Sequence, residues 1–216
     1  MPHDSRDHPA AADADALAPH GRLAYALQAV LLERRLVSPV HLQAVRDRMA
    51  ARSPARGARV VAAAWTDPAF AAALQHDASA AVASLGGIDP GPARLMALEN
   101  TAQLHNVVVC TLCSCYPRSL LGPPPDWYKS VPYRARVVRE PRAVLAEFGT
   151  TLPAGMALRV HDSTAELRYL VIPRRPSGTE GWTAERLAGL VTRDSMIGVS
   201  EARDPAAAEA GQDDAR

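Results

Sequence analysis

Cys110, Cys113 and Cys115 are the only cysteines of this chain, and all three fall within "VVVCTLCSCYP". Thiolates are soft, strongly donating and oxidisable, so thiols at i, i+3 and i+5 point to metal binding or redox chemistry. Four readings fit the cluster. A structural zinc site normally draws four ligands from separated pairs, and the sequence has no second cysteine pair. A thioredoxin-like redox pair wants C-x-x-C opening a helix, whereas here a third cysteine and a proline-rich loop follow. Incidental buried thiols are the third reading. The fourth is a compact claw around one transition metal. With only three sulfurs at hand, the nearest further donors in so short a loop are the backbone nitrogens of Ser114 and Cys115. An amide nitrogen ligates well after losing its proton, which demands a strongly Lewis-acidic trivalent ion.

The elements that must position these residues change character along the chain. Apolar Leu23, Leu27, Val30 and Leu31 recur at helical spacing, and Ser38-Pro39 marks the start of a second helix running to about Met49. "ARSPARGAR" reads as a break. Thr66-Asp67-Pro68 offers a cap for an alanine-rich helix that ends at Gly86-Gly87. "RLMALEN" and "HNVVVC" read as strands, the second delivering the chain to the cysteines. Pro123 to Pro125 forbid regular structure in the following loop. "YRARVVREPRAVLAEFG" predicts two helical pieces broken near Pro141 and stopped by Gly149, and "MALRVHD" and "AELRYLVIP" read as paired strands. Thr183 caps a helix through about Thr192, and "MIGVS" reads as a closing strand. The expected fold class is α/β (mixed α+β), with an N-terminal helical arm ahead of a layered α-β-β-α body. The expected organisation is a disordered tail over 1–21, a helical segment over 22–85, a metal-binding domain over 86–200 and a second tail over 201–216.

With 24 basic against 23 acidic side chains, the net charge of +1 argues against nucleic acid and against a membrane surface as partners. The N-terminal stretch lacks a basic start followed by an apolar run, and no apolar run approaches the ~20 residues that span a bilayer, so a cytoplasmic protein is expected. His3, His8 and His20 fall in the tail. His41, His76, His105 and His161 have no ligand spacing and read as solvated, and Trp65, Trp127 and Trp182 as packing residues.

"VCTLCSCYP" followed by "LGPPPDWYKSVPYRARVVREPR" resembles the metal-binding region of the nitrile hydratase α subunit. The likeness extends through "ARVVAAAWTDPAF", "MALENTAQLHNVVV" and "ELRYLVIPRRPSGTEGWTAERLAGLVTRDSMIGV", roughly residues 22 to 200. The resemblance implies one cobalt(III) or iron(III) ion per chain, held by the sulfurs of Cys110, Cys113 and Cys115 and the backbone nitrogens of Ser114 and Cys115. Cys113 would be oxidised to sulfinate and Cys115 to sulfenate. Thr111 and Tyr116 resemble the cobalt-type variant. The implied reaction is hydration of a nitrile to an amide, with either a metal-activated water or the sulfenate oxygen of Cys115 as nucleophile, so Cys113, Ser114 and Cys115 are the implied catalytic residues. A β-type subunit would complete the enzyme as αβ or α2β2, and a cobalt-insertion activator would mature it.

In the same comparison, Arg168 matches a recurrent arginine beside the metal, Asp162 and Glu166 are placed to fix partner groups, and Lys129 reads as a structural contact. Arg118 stands where the family commonly has a tryptophan lining the substrate pocket. A planar fork of donors in place of an apolar indole implies a larger, polar or heterocyclic nitrile, of which toyocamycin is an example. Gly91 stands where iron-type relatives carry glutamine, and Ser195 where a cysteine is frequent. A thiocyanate hydrolase γ-type subunit and a catalytically silent metal-binding relative are the alternatives.

Overall fold

A computed structural model describes residues 19–206; the expectations for residues 1–18 and 207–216 lie outside the described residues. The chain divides into two compact units between Met49 and Ala50. The first contains α1 (Pro19–Glu33) and α2 (Pro39–Ala50, whose last residue falls past the division), joined by Arg46 Nη2 donating to Gln28 Oε1 at 2.7 Å. Neither helix buries a residue, and Leu23, Leu27 and Val30 are exposed.

The second unit begins with three helices, α3 (Pro54–Thr66), α4 (Pro68–His76) and α5 (Ala78–Ser84). Here the structure departs from the sequence reading in two ways. The segment read as a break opens α3, because Ser53 and Pro54 form the same kind of start as Ser38-Pro39. Gly57 within it is a contact point and no helix breaker: a Cβ there would lie 2.6 Å from Met196 Sδ and 2.7 Å from Leu121 Cδ2. The single helix expected up to Gly86-Gly87 is instead two, divided at Asp77, whose extended backbone ends α4 while its carboxylate accepts from Ala80 N to cap α5. These helices pack with the strands in one core that includes Val60, Val61, Leu74, Leu95, Val107, Leu170 and Met196. Each such aliphatic side chain is worth roughly 1.5–3 kcal/mol on burial, and α3–α5 therefore belong to this unit and are no part of a separate N-terminal segment.

Four strands follow: β1 (Arg94–Glu99), β2 (Leu104–Val109), β3 (Ala157–Asp162) and β4 (Leu167–Ile172). β3 and β4, adjacent in sequence and expected as partners, pair elsewhere. β1 runs parallel to β4 and β2 parallel to β3, with Val109 opposite Asp162. The reason is visible in β2, whose positions from His105 to Val109 are all buried, the mark of a strand covered on both faces as parallel strands are. Between β2 and β3 lie α6 (Arg118–Leu121), α7 (Asp126–Lys129), α8 (Val131–Arg136) and α9 (Pro141–Glu147). The loop expected to be irregular thus holds two single-turn helices on either side of Pro123–Pro125, while the break at Pro141 stands as expected.

After β4 come α10 (Ala184–Ala188), shorter than expected, and α11 (Arg193–Ile197), where "MIGVS" was expected to be a strand. Thr192 and Ser195 form a capping box that starts α11, and Gly198 ends it at φ 89°. A Cβ on Gly198 would come within 2.0 Å of Asn106 O, so α11 docks on β2 through a position that admits only glycine. Residues 201–206, expected to start the tail, are tied down by Arg203 N donating to Leu190 O at 2.8 Å. Among the described residues no helix is long and apolar enough to cross a membrane.

Candidate metal centre

β2 ends at Val109 and releases the chain into a tight bend that carries the three cysteines. Cys110 is buried, Cys113 exposed and Cys115 half-buried, and none forms a disulfide. Cys110 Sγ and Cys113 Sγ lie 3.4 Å apart, Cys113 Sγ and Cys115 Sγ 3.2 Å apart, and all three sulfurs fall within 4.8 Å of one another. Cys113 N donates to Cys110 Sγ at 3.3 Å, which turns the bend back on itself. Crowding the thiols together splits their acidities: hydrogen bonds from Cys115 and Cys110 draw the Cys113 thiol below the usual range, while desolvation and the hydrogen bond with Cys113 push Cys115 above it. The Arg168 guanidinium acts against that rise and favours the Cys115 thiolate.

The donor set discriminates among the four sequence readings. Among the described residues the cluster consists of these three cysteines, without the fourth ligand that structural zinc expects. No helix opens at Cys110 or Cys113, as a thioredoxin-type pair requires; the first to follow is α6 at Arg118. The exposure of Cys113 is unlike that of an incidental core thiol. Three convergent soft donors, one face of which opens outward, fit a thiophilic transition metal.

The bend is anchored from three directions. Asp162, at the end of β3, accepts from Thr111 N at 2.9 Å and from Thr111 Oγ1 at 2.5 Å. Arg134 Nη1 donates to Thr111 O at 3.1 Å while its Nε donates to Lys129 O at 3.1 Å, joining the bend to the end of α7. Tyr128 OH donates to Cys115 O at 2.8 Å, and Tyr133 OH to Val108 O at 2.7 Å. Both tyrosines belong to an aromatic cluster with Trp127, whose ring centroid lies 4.9 Å from that of Tyr133, and burial holds both phenols protonated. Arg134, Tyr128 and Tyr133 were not singled out from the sequence; their spacing from the cysteines, 13 to 24 residues on, carries no local pattern.

A cavity of about 400 Å³ opens on the cluster, lined by Cys113, Ser114 and Cys115 together with Arg52, Arg118 and Arg168. Its far wall is the segment just before β1, where Gly91 sits at φ 91° and a Cβ would lie 2.7 Å from Ser119 Oγ. A longer side chain at position 91 therefore requires Ser119 to shift. Of the residues expected at the site, Cys110, Cys113, Ser114, Cys115, Arg118, Arg168 and Asp162 come together here. Glu166 does not: it lies exposed in the turn before β4, accepting from Thr164 Oγ1 at 3.1 Å while its carbonyl accepts from Arg94 N. Lys129 pairs with Asp126 at 2.7 Å on the surface. Ser195 is occupied as a helix cap, its Oγ accepting from Thr192 N at 3.0 Å.

Two histidines expected to be solvated are not. His105 is buried, with Nε2 2.7 Å from Gly198 O and Nδ1 3.3 Å from Asn100 Nδ2. His161 Nε2 lies 2.9 Å from Asn106 Oδ1. Asn100 and Asn106 join them in one hydrogen-bonded chain, His105 to Asn100 to Asn106 to His161, and burial holds both imidazoles below their ordinary pKa.

Residues 20–200 match the family described as nitrile hydratase, alpha chain. The chain belongs to the nitrile hydratase α-chain family. It is 50% identical over 182 residues to the high-molecular weight cobalt-containing nitrile hydratase subunit alpha of Rhodococcus rhodochrous, covering 83% of this chain and 90% of that one. It is 42% identical over 189 residues to thiocyanate hydrolase subunit gamma of Thiobacillus thioparus, covering 82% of this chain and 78% of that one. Among solved structures, a variant Fe-type nitrile hydratase from Comamonas testosteroni Ni1 superposes with a TM-score of 0.79 at 44% identity, covering 86% of this chain and 91% of that one. Membership in the nitrile hydratase family accounts for the fold and for the cysteine bend.

Proposed function

We propose that this chain is the α subunit of a cobalt-type nitrile hydratase, a hydro-lyase that converts a nitrile to the corresponding amide when assembled with a β-type subunit. The observation that carries the reading is the convergence of three sulfurs within 4.8 Å, two of whose residues, Cys113 and Cys115, line a cavity of about 400 Å³. Cys110, Cys113 and Cys115 would hold one cobalt(III) ion through sulfur, with the backbone nitrogens of Ser114 and Cys115 completing the protein's share. Such an ion supplies Lewis acidity, drawing electron density from a C≡N group so that an oxygen nucleophile can add to its carbon.

The rest of the site serves orientation and charge. Asp162 and Arg134 grip Thr111 from its N–H and C=O sides and so hold the first turn of the bend. Tyr128 fixes the carbonyl of Cys115 and thereby the direction of the last sulfur. Oxidation of Cys113 to sulfinate and Cys115 to sulfenate belongs to the proposal; it makes the donor set harder and places anionic oxygens in the cavity. Arg168 faces Cys115 and would neutralise part of that charge, with donors from the β-type subunit supplying the remainder. Arg118 in the cavity wall favours a polar nitrile over a simple aliphatic one, and a heterocyclic nitrile such as toyocamycin is the first to assay. The proposed setting is the cytoplasm, where a reducing poise keeps the three thiols available until an activator inserts cobalt.

Co-expression with the neighbouring β-type chain in cobalt-supplemented medium, followed by assay of amide formation, tests the reading. Amide release by the cobalt-loaded assembly supports it, and a loaded assembly that hydrates no nitrile overturns it. Mass spectrometry of the peptide spanning residues 110–115 tests the oxidation states. The expectation is two oxygens on Cys113 and one on Cys115.

A further inference from the structure

The wall of the same cavity indicates what its substrate carries, on the reading that a C≡N group is received there. Three guanidinium groups, Arg52, Arg118 and Arg168, line the cavity, and no carboxylate does. Arg168 is committed to its surroundings, with Nη1 donating to Leu167 O at 3.2 Å. Arg52 and Arg118 are different. Among the described residues neither side chain makes an ion pair or a hydrogen bond. Elsewhere in the second unit Arg134, Arg142 and Arg175 direct their donors onto backbone carbonyls and stay in place as structural braces. The opposite wall offers nothing to balance the charge: Pro90 and Pro92 have no N–H, Gly91 has no side chain, and Ser119 Oγ is already donating to Pro90 O at 2.8 Å.

A guanidinium presents five N–H donors in a rigid fork, matched to carboxylates and other anions, and two of them left unpaired in one cavity create a field that a neutral nitrile does not satisfy. We propose that the cavity selects an anion bearing a terminal C≡N group, with Arg118 and Arg52 pairing with the negative charge while the triple bond is directed at the cysteine cluster. The chemistry needs no further reactant. The oxygen of water becomes the carbonyl oxygen as both C≡N π bonds are lost, its two hydrogens pass to nitrogen to give the amide, and the charged group is carried through unchanged. The charge resides on a separate group, as in a cyano-carboxylate.

The test uses the assembled, cobalt-loaded complex and compares kcat/KM for cyanoacetate and for cyanoacetamide, which differ in charge and little in shape. The expected ratio favours the anion by about tenfold or more, the ratio collapses towards one in Arg118→Gln, and Arg118→Lys keeps part of it. Damage to the fold lowers both values together and leaves the ratio unmoved. A ratio near one in the parent complex overturns the inference while leaving the nitrile hydratase reading intact, as does a ratio insensitive to both Arg118→Gln and Arg52→Gln, the result expected if partner carboxylates neutralise the pair. Faster turnover of neutral toyocamycin than of cyanoacetate overturns it likewise. Consumption of thiocyanate with no hydration of cyanoacetate or of any other nitrile overturns the inference and the nitrile reading together. If nothing turns over, equilibrium binding of cyanoacetate decides: binding weakened about tenfold by Arg118→Gln supports the inference, and absent or unchanged binding overturns it.

Discussion

The two parallel strand pairs are built alike and face the site with opposite ends. β2 and β3 finish at it: Cys110 follows the last residue of β2, and Asp162, the last residue of β3, holds Thr111. β1 and β4 start at it: the segment from Pro90 to Ala93 precedes β1, and Arg168 is the second residue of β4. The first pair is laced by hydrogen bonds among Asn100, His105, Asn106 and His161 and pinned by Gly198, and it sets where the cysteine bend begins. The second pair is exposed or half-buried at its site end, at Arg94 and from Leu167 to Tyr169, and enters the core only further along, at Leu95, Ala97 and Leu170 to Ile172. The metal-binding side of this site is thus held by hydrogen bonds to the bend and by one close backbone contact at Gly198, whereas the cavity wall at the start of β1 and β4 has more room to change with the substrate.

If that contrast holds, lesions on the β2–β3 side should damage loading and stability, and those on the β1–β4 side should change selectivity. The largest effect is expected for Cys113→Ser, which removes a soft donor from the cluster; cobalt content should fall to background and turnover by more than ~1000-fold. Gly198→Ala comes next, because its Cβ would collide with Asn106 O at 2.0 Å. The variant should lose about 4 kcal/mol or more of stability, read from its denaturation midpoint. Asp162→Asn keeps the shape of the Thr111 clamp and removes its charge, so cobalt retention against a chelator should weaken by roughly 10–100-fold with the fold intact. Tyr133→Phe leaves Val108 O without its buried donor and should cost about 1–2 kcal/mol. The smallest effect is on pH dependence. Burial holds His105 and His161 below the ordinary value of 6.5, so the unfolded chain takes up protons that the folded chain refuses. Stability is therefore full above that pH and declines as pH falls below it, until the folded imidazoles protonate in turn. Replacing His105 with Gln should flatten that slope in pH-dependent denaturation.

What the sequence disclosed divides along the same line. The cysteine bend, the strand that feeds it and the α9 start at Pro141 are written in consecutive residues, and each emerged where expected. The strand partners were misread because a parallel pair is joined by nearby sequence only through long crossovers, and two strands adjacent along the chain look like a hairpin until their burial is known. "MIGVS" has the composition of a strand, and its helix depends on the cap supplied by Thr192 just upstream. "ARSPARGAR" reads as a break because the purpose of its Gly57, room for Met196 and Leu121, lies in residues far along the chain. Histidines spaced without pattern gave no hint that His105 and His161 are joined through Asn100 and Asn106. Arg118 was legible as a departure, yet Arg52, which shares its cavity, was not, because only the docking of α3 brings the segment before it to the site.

The central claim is that Cys110, Cys113 and Cys115 act together as the cage for a single ion. Elemental analysis of the matured complex, run in parallel on the parent chain and on Cys113→Ser, tests it most directly. One cobalt per chain in the parent and none in the variant is the predicted result. Zinc in place of cobalt, or a full complement of cobalt in the variant, would contradict it.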